Sequence, residues 1–180
     1  GFGRIGYWFA SKDRFDVQPD MITCAKGLTS GYLPLGATIF SSEMFDVMAN
    51  DDERFFAAGL TYSGHPVSCA AALTNIEIME RDKIFDNVND VGPYFEEQLA
   101  TLIDLPIVGD VRGEKMMMCV VNVQNKESKE YFDPEINISK RISNHAEVLG
   151  LIVRPAADLN IMSPPLTMTR DDVDFIVATL

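Results

Sequence analysis

Between Val67 and Leu102 apolar residues recur at helical spacing in two runs. The first spans about Val67 to Glu80 and opens on Pro66, whose missing N–H is no loss in a first helical turn. Ala70, Ala71 and Ala72 allow close packing, and Leu73, Ile76 and Met79 or Glu80 mark the expected buried face. The second spans about Phe85 to Leu102, with Val88, Val91, Phe95, Leu99 and Leu102 at spacings of three and four. Gly92-Pro93 interrupts it. Proline inside a helix costs about 3 kcal/mol, so a kink or break is expected there.

The pattern changes from Ile107 onward. Val108–Gly113 and Met116–Val123 read as two strands of a small sheet, and Gln124–Pro134 as a polar loop. A helix from Ile136 or Ile138 to Leu149 stops at Gly150. Leu151–Pro155 reads as a strand ending on an arginine, Arg154, and Asn160–Met162 as another short strand before Pro164-Pro165. Thr169 is placed to cap a final helix, with Asp171 and Asp172 complementing its dipole.

Ahead of Val67 the periods are shorter. Gly1–Ala10 is a glycine-punctuated aromatic loop, and Asp13–Asp20 a polar connection. Met21–Ala25 is short, apolar and partly β-branched, which predicts a buried strand. Ala37–Phe40 is a second strand, and Ser41 or Ser42 caps a short helix reaching Ala49. Asn50–Ala58 reads as a charged surface loop. Two organisations result: an α/β region around Lys26, residues 1–81, then an α+β region, residues 82–180. The sequence holds no internal repeat.

The 180 residues carry a formal charge of −12, from 27 acidic and 15 basic residues. That balance argues against a nucleic-acid surface or a general affinity for anionic membranes. Three cysteines, Cys24, Cys69 and Cys119, are far apart, each in an apolar run. They fit neither a disulfide framework nor a zinc motif, so buried thiols in a reducing compartment are expected. No apolar run approaches the length of a membrane span, and no signal peptide is expected. These features predict a soluble, cytoplasmic protein. The start, Gly-Phe-Gly-Arg without an initiator methionine, predicts a piece of something longer.

Candidate chemistry concentrates at Lys26. It closes the Met21–Ala25 run and opens a loop with Gly27, Gly31 and Gly36. An ammonium at the end of a buried strand is costly unless paired or neutralised. Burial lowers a lysine pKa and frees the neutral amine as a nucleophile toward carbonyls. The same residues also allow a lysine that simply leaves the strand end for solvent.

The motifs GFGRIG (Gly1–Gly6), PDMITCAKGLTSGYLPLGA (Pro19–Ala37) and LTYSGHPVSCAAAL (Leu60–Leu73) stand together in an order and spacing that resemble the class III aminotransferases. These are pyridoxal-phosphate enzymes acting on ω-amino acids and 2-oxo acids. The resemblance implies the C-terminal part of the large cofactor-binding domain of an aspartate-aminotransferase-like fold, followed by a small α+β C-terminal domain. It implies that Lys26 forms the Schiff base with pyridoxal 5′-phosphate. It further implies that Thr61 reaches the cofactor phosphate of the neighbouring subunit in a homodimer, and that Arg154 pairs with a substrate carboxylate. The bland readings are a turn residue before Pro66 for Thr61 and a structural ion pair for Arg154. Arg4 is read as structural, His65 as shaping its turn, His145 as a packed or surface residue, and Met116–Met118 as core strand.

Two departures from the family pattern stand out. Val111-Arg112-Gly113 is followed by Glu114-Lys115-Met116 where Gly-Leu-Met is usual, and Ile5 replaces a small polar residue in a loop expected near the cofactor. The resemblance also places the aspartate that pairs with the pyridine nitrogen before Gly1. The activity implied is transfer of an amino group from an amine or ω-amino acid to a 2-oxo acid such as pyruvate. Decarboxylation or amino-group migration by related members, and an inactive interaction domain for the chain alone, are the alternatives.

Overall fold

The computed structural model describes residues 1–50, 53, 54 and 57–180. The expected Asn50–Ala58 loop therefore lies partly outside the described residues. The chain divides into two compact units: Gly1–Gly3 with Tyr7–Lys83, and Arg4–Gly6 with Ile84–Leu180.

In the first unit, helix α1 (Lys12–Phe15) takes up part of the stretch expected to be a plain connection. Strand β1 (Met21–Cys24) pairs antiparallel with β2 (Ala37–Phe40), Met21 opposite Phe40 and Cys24 opposite Ala37. Neither strand contains a fully buried residue, so the expected buried strand before Lys26 is overturned. Two strands alone cover neither face, and both leave side chains in solvent. Helix α2 (Ser42–Ala49) is capped by Ser41, whose Oγ accepts from the Met44 N–H.

Helix α3 (Pro66–Arg81) starts as expected, with Pro66 in its first turn. Met79 of the expected face is buried and Ile76 half-buried, but the buried stripe continues through Ala72 and Ser68, and Leu73 is 63% exposed. Small residues let this stripe approach its neighbours closely, and the larger leucine is left outside.

The second unit holds the larger core. Helix α4 (Ile84–Ala100) runs unbroken through Pro93. The glycine beside it is there for packing: a Cβ on Gly92 would lie 2.6 Å from the Lys115 Cβ. Val88, Val91, Phe95 and Leu99 form the buried face of α4, as their spacing predicts. Full burial of a side chain such as Phe95 stabilises by roughly 1.5–3 kcal/mol.

Strand β3 (Val108–Glu114) pairs with β4 (Met117–Asn122). Next comes β6 (Leu159–Met162), then β5 (Arg154–Ala156) at the edge of an antiparallel sheet of order β3-β4-β6-β5. The strand expected at Leu151–Pro155 is thus shorter and begins at Arg154. Met116 and Met118 are buried and Met117 points out, the alternation of a core strand.

Helix α5 (Ile138–Val148) packs on β5 and β6. It closes as expected at Gly150: Leu151 N–H donates to Ala146 O and Gly150 N–H to Glu147 O, with Gly150 at φ +95°. Helix α6 (Arg170–Thr179) packs on α4, and its cap is reciprocal between Thr169 and Asp172.

Arg4–Gly6 belongs to this second unit. Arg4 Nη1 donates to Met116 O (3.2 Å) and Pro164 O (2.7 Å), and Met116 N–H returns a bond to Arg4 O. Burial holds the Arg4 guanidinium below its usual pKa. Ile5 is buried, and Lys115 Nζ donates to its carbonyl (2.9 Å). The apolar residue at this position is therefore explained by burial. The Gly113–Met116 departure belongs to the same arrangement, because Lys115 bridges from the β3–β4 turn to Ile5 and to Asn89 Oδ1 (2.6 Å).

The cysteines are free and half-buried, a correction to the expected buried thiols. Desolvation raises the Cys119 thiol above its ordinary pKa. No helix among the described residues is long and apolar enough to cross a membrane.

Candidate active site

Lys26 heads a short 3-10 turn, Lys26–Leu28, directly after β1. Its backbone lies in the left-handed region at φ +51°, uncommon for a residue with a side chain. Such a conformation persists only where surrounding bonds over-determine it. Those bonds are present. Lys26 O accepts from the N–H groups of Thr29 (3.2 Å) and Gly31 (3.3 Å). Thr29 is buried, and its Oγ1 donates to Leu33 O (2.6 Å). From α3, Asn75 Nδ2 donates to Gly27 O (2.9 Å) and Leu28 O (3.2 Å). Gly27 packs so closely on Phe2 that a Cβ would stand 3.1 Å from the phenylalanine Cβ. The turn is fixed from three sides while the Lys26 side chain is exposed. Exposure, not burial, makes its amine accessible.

Thr61 is exposed in the turn before α3. Ser63 N–H donates to Leu60 O (3.0 Å) and His65 N–H to Tyr62 O (3.2 Å), which coil the segment ahead of the helix. His65 caps α3: its Nδ1 accepts from the Ser68 N–H (3.4 Å), the turn-shaping role expected of it. Among the described residues no hydrogen bond joins the side chains of Lys26 and Thr61, which sit on separate turns of the first unit.

Arg154 is in the second unit, exposed, at the start of β5. It lines a largely apolar cleft of about 630 Å³ together with Ile161, Pro164, Asp172 and Phe175. Among the described residues its guanidinium has no ion-pair or hydrogen-bond partner, so the structural ion pair is not what occupies it. His145 is exposed on α5. Asn75 was not among the residues singled out by sequence. Its signal was a carboxamide on the otherwise small or apolar Ser68–Ala72–Met79 stripe.

Comparison with known proteins bears on this arrangement. The family model described as "Aminotransferase class-III" matches residues 1–180. The chain belongs to the class III aminotransferases. Among relatives of this aminotransferase, an uncharacterized aminotransferase, y4uB, of Sinorhizobium fredii is 42% identical over 99% of the chain and 39% of its own length. The mitochondrial gamma aminobutyrate transaminase 1 of Solanum lycopersicum is 36% identical over 98% of the chain and 34% of its own length.

Solved transaminase structures agree in fold. An (S)-enantioselective omega-transaminase from Thermomicrobium roseum superposes with a TM-score of 0.94 at 41% identity, over 99% of this chain and 40% of that one. An amine transaminase from an uncultivated Pseudomonas species, in its PLP-bound form, gives 0.95 at 39% identity, over 100% of this chain and 41% of that one. The mixed α/β fold is thus that of part of these solved transaminases. This aminotransferase chain spans about two fifths of the solved structures it matches and a similar or smaller share of the curated relatives.

Proposed function

We propose that the chain is the C-terminal part of a pyridoxal-phosphate-dependent transaminase that moves an amino group from an amine or ω-amino acid to a 2-oxo acid such as pyruvate. The observation that carries the reading is the Lys26 turn: an exposed primary amine on a left-handed backbone pinned by Asn75 and Thr29, in a chain that matches the family throughout. The donor set fits the cofactor: an accessible amine for an aldehyde, a hydroxyl beside a helix start for a phosphate, and an unpaired guanidinium for a substrate carboxylate.

Pyridoxal phosphate, when bound, supplies an aldehyde carbon and a ring that withdraws electrons from the substrate Cα. Lys26 Nζ is the group that would hold it covalently. Released as a neutral amine, that nitrogen would take the substrate Cα proton and pass it to the carbon that had carried the aldehyde. Thr61 offers its Oγ1–H and backbone N–H to the phosphate bound in a neighbouring subunit, so the reading includes a homodimer. Arg154 offers a carboxylate the two-pronged guanidinium geometry that lysine cannot copy. A cytoplasmic setting is part of the proposal, supported by three free thiols. Some relatives are named as mitochondrial, so fractionation with an antibody to the native protein tests it.

The decisive experiment uses the full-length enzyme. Borohydride treatment should trap cofactor on the wild type and none on Lys26→Ala. An untrapped wild type, or equal trapping in the variant, ends the proposal. Product analysis with and without pyruvate separates amino transfer from decarboxylation.

A further inference from the structure

The edge strand that carries Arg154 is poorly determined by its own ladder. It has three residues, and Pro155 at its centre has no N–H to donate. Its register, Arg154 opposite Ile161, Pro155 opposite Asn160 and Ala156 opposite Leu159, decides on which sheet face the guanidinium stands. A slip of one residue would move Arg154 to the other face. In the observed register Arg154 and its partner Ile161 both line the cleft.

Something outside the ladder must hold the two-residue turn, Ala157-Asp158, that joins β5 to β6. Ala157 is in the left-handed region at φ +50°. Both carbonyls of the turn are held from below by buried side chains. Ser139 Oγ, on α5, donates to Ala157 O. Asn122 donates to Asp158 O from both its backbone N–H and its Nδ2, each at 2.8 Å. The same Nδ2 lies 2.8 Å from Asn160 Oδ1, and Asn160 Nδ2 donates to Ser139 O (3.0 Å) and Ser143 Oγ (3.1 Å). Asn122 and Asn160 are each 1% exposed, and Ser139 and Ser143 are buried with them. A buried polar cluster satisfied this fully gives a specific geometry, because any slipped arrangement strands its donors without partners.

We propose that the buried Asn122–Asn160–Ser139–Ser143 cluster is the positioning element for Arg154, fixing the β5–β6 register and hence the face on which a substrate carboxylate is met. This rests on the carboxylate-binding reading of Arg154. Ser139 and Asn122 act through the turn and touch no substrate.

The test compares KM and kcat of the full-length enzyme for γ-aminobutyrate and for n-butylamine, which lacks the carboxylate. Wild type and Arg154→Ala establish the discrimination. Ser139→Ala should raise KM for γ-aminobutyrate about tenfold and leave kcat and KM for n-butylamine unchanged. Ser139→Thr, which keeps the hydroxyl, should restore the wild-type ratio. Asn122→Ala should act in the same direction as Ser139→Ala and provides a second variant if that one is unstable. Loss of discrimination in Arg154→Ala but not in Ser139→Ala or Asn122→Ala, whatever their melting temperatures, overturns the inference. Equal KM for both amines in the wild type removes the role of Arg154, and the inference falls with it.

Discussion

Asn75 shows how a single carboxamide pins the turn that presents Lys26. One nitrogen serves two consecutive carbonyls of the Lys26 turn, so removing it strands both at once. Asn75→Leu should cost about 1–3 kcal/mol of stability in a urea titration. In the full-length enzyme it should also slow borohydride-trappable cofactor uptake, since Lys26 would lose its fixed backbone. Gly113 is a second position where one atom decides. Its φ is +139°, and a Cβ there would lie 2.0 Å from Met117 O. Gly113→Ala should therefore destabilise by at least about 3 kcal/mol, seen as a lower denaturation midpoint. Which residue types form the candidate site was legible at this scale, because Lys26, Thr61 and Arg154 sit in recognisable motifs. How they are presented was not. The apolar run before Lys26 promised burial, yet among the described residues β1 pairs with β2 alone and the lysine stands exposed.

Elements whose signals are local were read well. Pro66, Gly150 and Thr169 each mark a helix end through bonds made within a few residues. The exposure of Leu73 on α3 and the continuity of α4 through Pro93 were not, since both depend on partners distant in sequence. The α6 cap carries its own pH dependence. The Thr169 N–H, then its hydroxyl, hold the Asp172 carboxyl below its ordinary value of 3.8. A carboxyl depressed on folding stabilises above its unfolded value, and the contribution is lost as pH falls through the lower folded one. Asp172→Asn should thus flatten the fall in stability below about pH 4, read by thermal melts across that range. Thr169→Ala should cost about 1 kcal/mol at neutral pH.

At the level of the whole chain, the first unit exposes an unusual amount of apolar side chain: Met21, Ile39, Phe45, Leu60, Tyr62 and Leu73 are all open. Surfaces of this kind are covered in functional assemblies or drive association. The isolated 180-residue chain should therefore self-associate in light scattering, bind a hydrophobic dye and take up cofactor weakly. A monodisperse monomer with tight cofactor binding would contradict this. Arg4–Gly6 was the least legible feature, because its partners lie 112 and 160 residues further along. That distance has a temporal meaning. A ribosome adds roughly 5–20 residues per second, so Arg4 waits on the order of ten to thirty seconds for the carbonyl of Pro164 to be made. The three residues that enter the second unit are therefore made well before the carbonyls that hold Arg4. Throughout that interval the nascent chain carries an isoleucine built for burial and an arginine without the carbonyls that receive it.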